Sequence, residues 1–157
     1  MDDFFTTHVG LRRGTSAECQ SGPAYYGPSA VTMVALNLLG APAWVIAATQ
    51  KLERLAMLPS GWDSYGGRPL KQSARESTLK AISWLQQEEL PIPAVVLGSK
   101  GTVQLEWHSG SKELDVDLGE GEDIGFVKCD DEGEPLEGRT GQGAEELRRL
   151  TRWLVTR

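Results

Sequence analysis

Residues 103–118 alternate between apolar and polar side chains, and this pattern limits the fold more than any other feature of the chain. Every second residue of "VQLEWH" is apolar, and the same alternation returns in "ELDVDL" after the turn signal "SGSK". Strict alternation is typical of a strand with one buried face and one solvated face, and so short a connection joins antiparallel strands. The chain is therefore expected to pack an amphipathic hairpin against a second layer of structure.

Further strands are predicted on both sides of this hairpin. "AVVLG" with the turn "SKG" comes before it, and "DIGFVKC" comes after it. Together these segments predict a four-stranded antiparallel meander with one apolar and one polar face. The following segment, residues 130–143, has no apolar period and is interpreted as a loop.

Three amphipathic helices are predicted around the meander. Residues 43–57 form the first helix, and a second begins at Ser73, where Ser73 and Glu76 are spaced as a capping box. A third closes the chain. The apolar stripes predicted for the three helices are Trp44, Ala48, Leu52 and Leu55; Thr78, Ala81, Ile82 and Leu85; and Leu147, Leu150, Thr151 and Leu154. The fold class that follows is α+β, with two layers: a four-stranded antiparallel meander packed against about three helices.

The 157 residues fit one domain preceded by an arm. Residues 1–41 are interpreted as an irregular N-terminal arm with one apolar segment, and residues 42–157 as a single α+β domain. Residues 19–50 carry no charge, but their glycines and prolines argue against a membrane span. Cys19 and Cys129 are 110 positions apart and form no metal-binding motif, so free thiols and a cytoplasmic location are expected.

Negative charge is concentrated in one segment. The chain has a net charge of −6, yet residues 113–137 contain 11 acids and one base. This balance disfavours direct nucleic-acid binding and suggests a protein partner with a basic surface. The acidic residues predicted to form the binding surface are Glu106, Glu113, Asp115, Asp117, Glu120, Glu122 and Asp123.

The segment "LPSGWDSYGGRPL", residues 58–70, is the other notable feature, and we call it the GWDSYG loop. In one interpretation Trp62 packs between the helices and the sheet while Asp63 accepts backbone hydrogen bonds, so the loop stabilises the fold. In the other, Trp62, Asp63, Tyr65 and Arg68 line a pocket. The sequence favours the first interpretation without excluding the second.

The GWDSYG loop, "PIPAVVLGSKGTVQLEWH" and "ELDVDL" together resemble a widespread family of small bacterial and phage proteins. The family pattern reads L-P-x-G-W-D-x-Y-G, a helix, a proline pair, and a strand with Gly-x-x-Gln-Leu-Glu-Trp. The resemblance covers roughly residues 43–128. It implies a bacterial or phage origin, and it supplies no catalytic residues because no activity is assigned to the family.

No catalytic, cofactor or metal motif is present in the sequence. There is no GxSxG, P-loop, GxGxxG or HExxH, and Glu106 and His108 share a strand face without a marked third ligand. The predicted function is therefore a non-enzymatic protein-binding module, in its most concrete form an accessory or inhibitory protein (anti-defence or antitoxin-like) of a phage or mobile element. The alternative is a small-molecule or nucleotide-binding protein, or a weak hydrolase, with its pocket at the GWDSYG loop.

Overall fold

The computed structural model of the protein describes residues 40–119, 123–141 and 143–156. The predicted N-terminal arm, apart from its last two residues, lies outside these ranges, as do Cys19, Glu120 and Glu122. The elements in chain order are α1 (Ala43–Ala56), α2 (Gln72–Leu85), β1 (Ala94–Leu97), β2 (Val103–Ser109), β3 (Lys112–Leu118), β4 (Asp123–Cys129), β5 (Leu136–Gly141) and α3 (Ala144–Val155).

The strands form one antiparallel sheet in the order β1-β2-β3-β4-β5. Leu105 of β2 lies opposite Val116 of β3, and Val116 lies opposite Phe126 of β4, so the apolar residues of successive strands share one face. Gly110 takes a φ of +63° at the first position of the two-residue connection between β2 and β3, a conformation that favours glycine. The α+β class and the antiparallel meander are confirmed, but the described sheet has five strands instead of four.

The unpredicted strand is β5, "LEGRTG", which falls inside the segment interpreted as a loop. Its sequence has two glycines, no aromatic residue and only Thr140 as a β-branched residue, and most of its residues are exposed. Gly138 lies opposite Phe126 of β4, and a Cβ atom on Gly138 would come within 2.6 Å of the Phe126 ring. The aromatic ring therefore lies over the glycine and covers backbone that would otherwise be exposed, an arrangement that stabilises edge glycines.

Replacing Gly138 by Ala is expected to destabilise the fold by about 1–2 kcal/mol, because the new methyl group displaces the Phe126 ring. Strand propensity alone predicts no loss, since Gly is itself a poor strand residue. Gly141→Ala is the matched control, because a Cβ there meets nothing within 4 Å. Urea unfolding measures both variants, and equal stability of the two would contradict the close packing of Phe126 on Gly138.

The helices cover the apolar face of the sheet. α1 packs on β1, whereas α2 and α3 pack on β2 and β3. All four residues of each predicted helix stripe are buried. From the sheet, the buried residues opposite the helices are Val95, Leu97, Val103, Leu105, Trp107, Leu114, Val116, Leu118 and Ile124. The two-layer arrangement therefore places the polar face of the sheet on the side away from the helices.

The predicted capping box is wrong. α2 begins at Gln72 with Lys71 as its N-cap residue, and no side chain caps the helix. The Glu76 carboxylate accepts a hydrogen bond from the Gln72 side chain at 2.8 Å, so it does not reach back to Ser73. The start of α2 is instead fixed by its tertiary anchor, because the Lys71 backbone N–H donates to the Gly101 carbonyl at 3.0 Å.

Arginines link neighbouring helices in two places. Arg75 of α2 contacts Glu53 of α1 at 2.6 Å, and Arg148 of α3 donates to the Trp84 carbonyl at the end of α2. Within the described ranges, no helix is long and apolar enough to cross a membrane.

Candidate functional site

The GWDSYG loop is closed by hydrogen bonds between its own residues. The Gly61 backbone N–H donates to the Gly67 carbonyl at 2.7 Å, and the Trp62 indole N–H donates to the Arg68 carbonyl at 3.1 Å. Asp63 accepts from the backbone N–H groups of Tyr65 at 2.9 Å and Gly67 at 2.7 Å. Trp62 is partly buried and packs against the hydrophobic core. These contacts are those that the structural interpretation of the loop requires.

Backbone geometry explains the residue types of this loop. Gly61 and Gly66 have φ values of +77° and +86°, where residues other than glycine are strained. A Cβ atom on Gly67 would lie 2.7 Å from the Asp63 carboxylate, so a side chain there would displace the hydrogen-bonded group. The Gly67 and Tyr65 N–H groups lower the pKa of Asp63 from its ordinary value. The charged carboxylate therefore stabilises the loop fully at pH values above the unfolded-state pKa, and this stabilisation is lost as the pH falls through the lower folded-state pKa.

A second set of hydrogen bonds fastens the loop to the β1–β2 turn. The Arg68 N–H donates to the Ser99 carbonyl at 2.9 Å, next to the bond between Lys71 and Gly101. Gly101, with a φ of +81°, lies so close that a Cβ atom would be 2.5 Å from the Pro69 carbonyl oxygen. The loop therefore joins the helical layer to the sheet, and the polar groups of Trp62 and Asp63 serve that connection.

Of the four residues in the alternative pocket, two point away from the fold. The Tyr65 side chain is 94% exposed, and Arg68 is also exposed. The two cavities described below are lined by other residues. A ligand pocket at this loop stays a prediction.

The polar face of the sheet brings most of the predicted acidic residues together, and we call it the acidic sheet face. Glu106 lies directly opposite Asp115, and Glu113 lies directly opposite His108. Asp123 is on the same side of β4 because it is two residues from Gly125, which pairs with Asp117. The acidic sheet face consists of Glu106, Glu113, Asp115, Asp117, Asp123 and Glu137, and Arg139 lies among them on β5.

The acidic sheet face is concave. A shallow groove of about 470 Å³ lies over β3, β4 and β5, with Gly125 and Val127 between its walls. Asp115, Asp117 and Gln104 lie on one side, and Glu137 and Arg139 lie on the other. Because residue 125 has no side chain, the middle strand leaves open the space that a side chain would fill. The acidic sheet face is therefore grooved and not flat.

Electrostatic repulsion is built into this face. Like charges directly opposite on neighbouring strands are destabilising, and Glu106 and Asp115 occupy such positions. Partial burial raises the pKa of Asp115, the positive charge that His108 can carry lowers it, and the charge of Glu113 raises it. Ionising Asp115 therefore lowers the free energy of unfolding. The protonated carboxyl stabilises the fold at pH values below the unfolded-state pKa, and this stabilisation is lost as the pH rises through the higher folded-state pKa.

His108 can offset part of this repulsion when its ring is protonated. His108 Nδ1 lies 3.3 Å from the Glu113 carboxylate, and both side chains are largely exposed. Such a surface pair contributes little to stability. In the described ranges no group of three or more His, Cys, Asp or Glu side chains could hold a metal ion. Cys129 is a free, partly buried thiol at the end of β4.

Glu137 and Arg139 are site residues that the sequence prediction missed. Both belong to β5, and they reach the groove only because β5 pairs with β4. The sequence signal that could have found them is the apolar–polar order in "PLEGRTG" opposite "DIGFVKC", and it is weak because two of the positions are glycines.

A second cavity, of about 410 Å³, lies between the β2–β3 turn and the end of α3. Its charged residue, Lys112, donates to the carbonyls of Trp153 at 3.0 Å and Thr156 at 2.6 Å, which satisfies the C-terminus of the helix. Lys112 and Lys128 also lie 5.3 Å and 4.9 Å from the Trp153 ring centroid. This region therefore fastens α3 to the sheet.

No protein-family model matches the chain, no curated protein matches it significantly, and no solved structure does so either. The resemblance to the small bacterial and phage family stays a prediction. The function has to be argued from the two surfaces described above.

Proposed function

We propose that this protein is a non-enzymatic binding module whose acidic sheet face docks a protein with a basic surface. The observation that carries the proposal is the concentration of six carboxylates on the face of the sheet opposite the helices, three of which, Asp115, Asp117 and Glu137, line the groove. Charges of one sign on a single face favour rapid association with a partner of opposite charge. The partner class is a basic protein, such as a nucleic-acid-binding protein whose groove this face would occupy.

The cost of the arrangement supports a binding role. Glu106 and Asp115 repel each other across neighbouring strands, and the partly buried Asp115 has a raised pKa. Solubility would be served equally well by the same charges spread over the surface, without that repulsion. A basic partner that contacts both carboxylates relieves the repulsion on binding.

The groove gives this partner a point of attachment. Its volume of about 470 Å³ accommodates a long side chain, and Val127 supplies an apolar surface for the methylene groups of lysine or arginine. Asp115, Asp117 and Glu137 are positioned to receive the charged end, whereas Arg139 limits the net negative charge. An accessory or inhibitory protein of a phage or mobile element, of the anti-defence or antitoxin-like kind, is the biological role we propose for such a module.

Neutralising Asp115 and Asp117 is the direct test of the proposal. We expect Asp115→Asn/Asp117→Asn to weaken binding of a fluorescent oligolysine peptide about tenfold or more at low salt, as loss of close charge pairs typically does. Fluorescence anisotropy at low and high ionic strength measures the affinity. The melting temperature is expected to stay unchanged or rise, because the substitution removes repulsion.

Asp131→Asn/Glu132→Gln is the matched control. It has the same net charge as the test variant, and both residues are exposed in the loop before β5. If test and control weaken binding equally, only the total charge matters and the proposal is wrong. With the test and control proteins as baits in extracts of the native host, basic proteins retained by the control and lost by the test variant are the candidate partners.

A further inference from the structure

A second exposed surface lies at the tip of the GWDSYG loop. Asp63 accepts a hydrogen bond from the Tyr65 backbone N–H, yet Tyr65 is 94% exposed. Trp62, by comparison, packs against the core and donates a hydrogen bond. A rigid loop that exposes an aromatic ring is already ordered for binding, so little conformational entropy is lost on association.

Two basic residues lie on the same pair of hydrogen-bonded segments, the GWDSYG loop and the β1–β2 turn. The bond from the Arg68 N–H to the Ser99 carbonyl places Lys100, the next residue, beside the loop. Arg68 and Lys100 are exposed, and Asp63, the one acid of the GWDSYG loop, is occupied by two backbone N–H groups. We call Tyr65, Arg68 and Lys100 the basic tip. Tyr and Arg are the residue types most often responsible for binding energy at protein interfaces.

We propose that the basic tip docks onto the acidic sheet face of a second copy of this chain. The argument is charge complementarity: each copy carries a tip with two exposed cationic side chains and a sheet face with six carboxylates, three of which line a groove. Tyr65 and Arg68 lie between α1 and α2, and Lys100 lies in the β1–β2 turn, so the basic tip and the acidic sheet face share no residue. Contact between unlike surfaces of identical chains is heterologous and produces rings or open chains.

The inference uses the acidic sheet face of the proposed function but names another occupant for it. The net charge of −6 repels copies at long range, so the attraction has to act locally, within a Debye length of about 10 Å at 0.1 M salt. Self-association would then occupy the face until a more basic partner displaces the second copy.

Analytical ultracentrifugation of the full chain over a range of concentrations is the experiment. We expect association at low salt that weakens as the salt concentration rises. Arg68→Glu/Lys100→Glu should abolish it, and Tyr65→Ala should weaken it by about 30-fold, the typical effect of truncating a central interface aromatic. Lys51→Glu/Lys80→Glu is the control of equal net charge on exposed helix positions, and it should associate like the wild type apart from the general increase in repulsion.

Charge exchange gives the decisive result. Glu113→Lys/Asp117→Lys should not associate alone, because its sheet face keeps four carboxylates against two new lysines and Arg139 and so attracts the basic tip little. Its mixture with Arg68→Glu/Lys100→Glu should associate again, because the first variant keeps the wild-type tip and the second keeps the wild-type face. A wild type that stays monomeric at low salt, association that survives reversal of the tip, or a mixture that stays monomeric would each overturn the inference. The oligolysine assay separates the two ideas: peptide binding without self-association contradicts only the inference, and self-association without peptide binding contradicts only the proposed function.

Discussion

Gly101→Ala is expected to lower the free energy of unfolding by about 3–4 kcal/mol, the largest effect of a single methyl group that we predict. The φ of +81° at this position costs a residue with a Cβ atom about 1–2 kcal/mol. A Cβ atom would also lie 2.5 Å from the Pro69 carbonyl oxygen and 3.0 Å from the Lys71 side chain. Because Pro69 contributes a backbone atom, relief requires the GWDSYG loop to move away from the β1–β2 turn, which adds about 1–3 kcal/mol.

Gly110→Ala is the control for the backbone term. Its φ of +63° carries a similar conformational cost, but a Cβ atom there meets nothing within 4 Å. Urea unfolding of both variants isolates the steric contribution as the difference in stability, expected to be about 2 kcal/mol. Equal destabilisation of the two variants would show that the loop does not pack tightly on the turn.

The helices and strands show how much of the fold could be predicted from sequence patterns. Apolar periodicity identified all three helix stripes and the strands β1 to β4, because each buries a regular set of side chains against one core. Two local rules failed where tertiary contacts decided the outcome. The N–H of Lys71 is used by Gly101, so α2 starts one residue before the predicted cap, and β5 forms because Phe126 covers Gly138.

The acidic sheet face was also predictable only in part. Alternation alone places Glu106, Glu113, Asp115 and Asp117 on one face, since their side depends only on the period of a strand. The groove was not predictable, because it depends on the pairing of β4 with β5 and on the missing side chain at Gly125. Strand register is a property of the folded sheet, and a strand that was interpreted as a loop has no register to assign.

Trp62→Ala is expected to cost about 2–3 kcal/mol of unfolding free energy. Truncating a fully buried tryptophan costs about 3–5 kcal/mol, and Trp62 is only partly buried against the core. The substitution also removes the indole N–H that donates to the Arg68 carbonyl, a bond that contributes about 1 kcal/mol. Trp62→Phe keeps most of the packing and removes only this donor, so it should cost about 1 kcal/mol.

Tyr65→Ala completes the comparison, because it truncates an aromatic residue of the same loop that is 94% exposed. Its unfolding free energy should lie within about 0.5 kcal/mol of the wild-type value, as is usual for surface substitutions. The expected order in urea unfolding is therefore wild type and Tyr65→Ala, then Trp62→Phe, then Trp62→Ala. If Trp62→Ala were as stable as Tyr65→Ala, the loop would not hold the helices to the sheet, and the pocket interpretation of Trp62, Asp63, Tyr65 and Arg68 would become the better explanation of its residues.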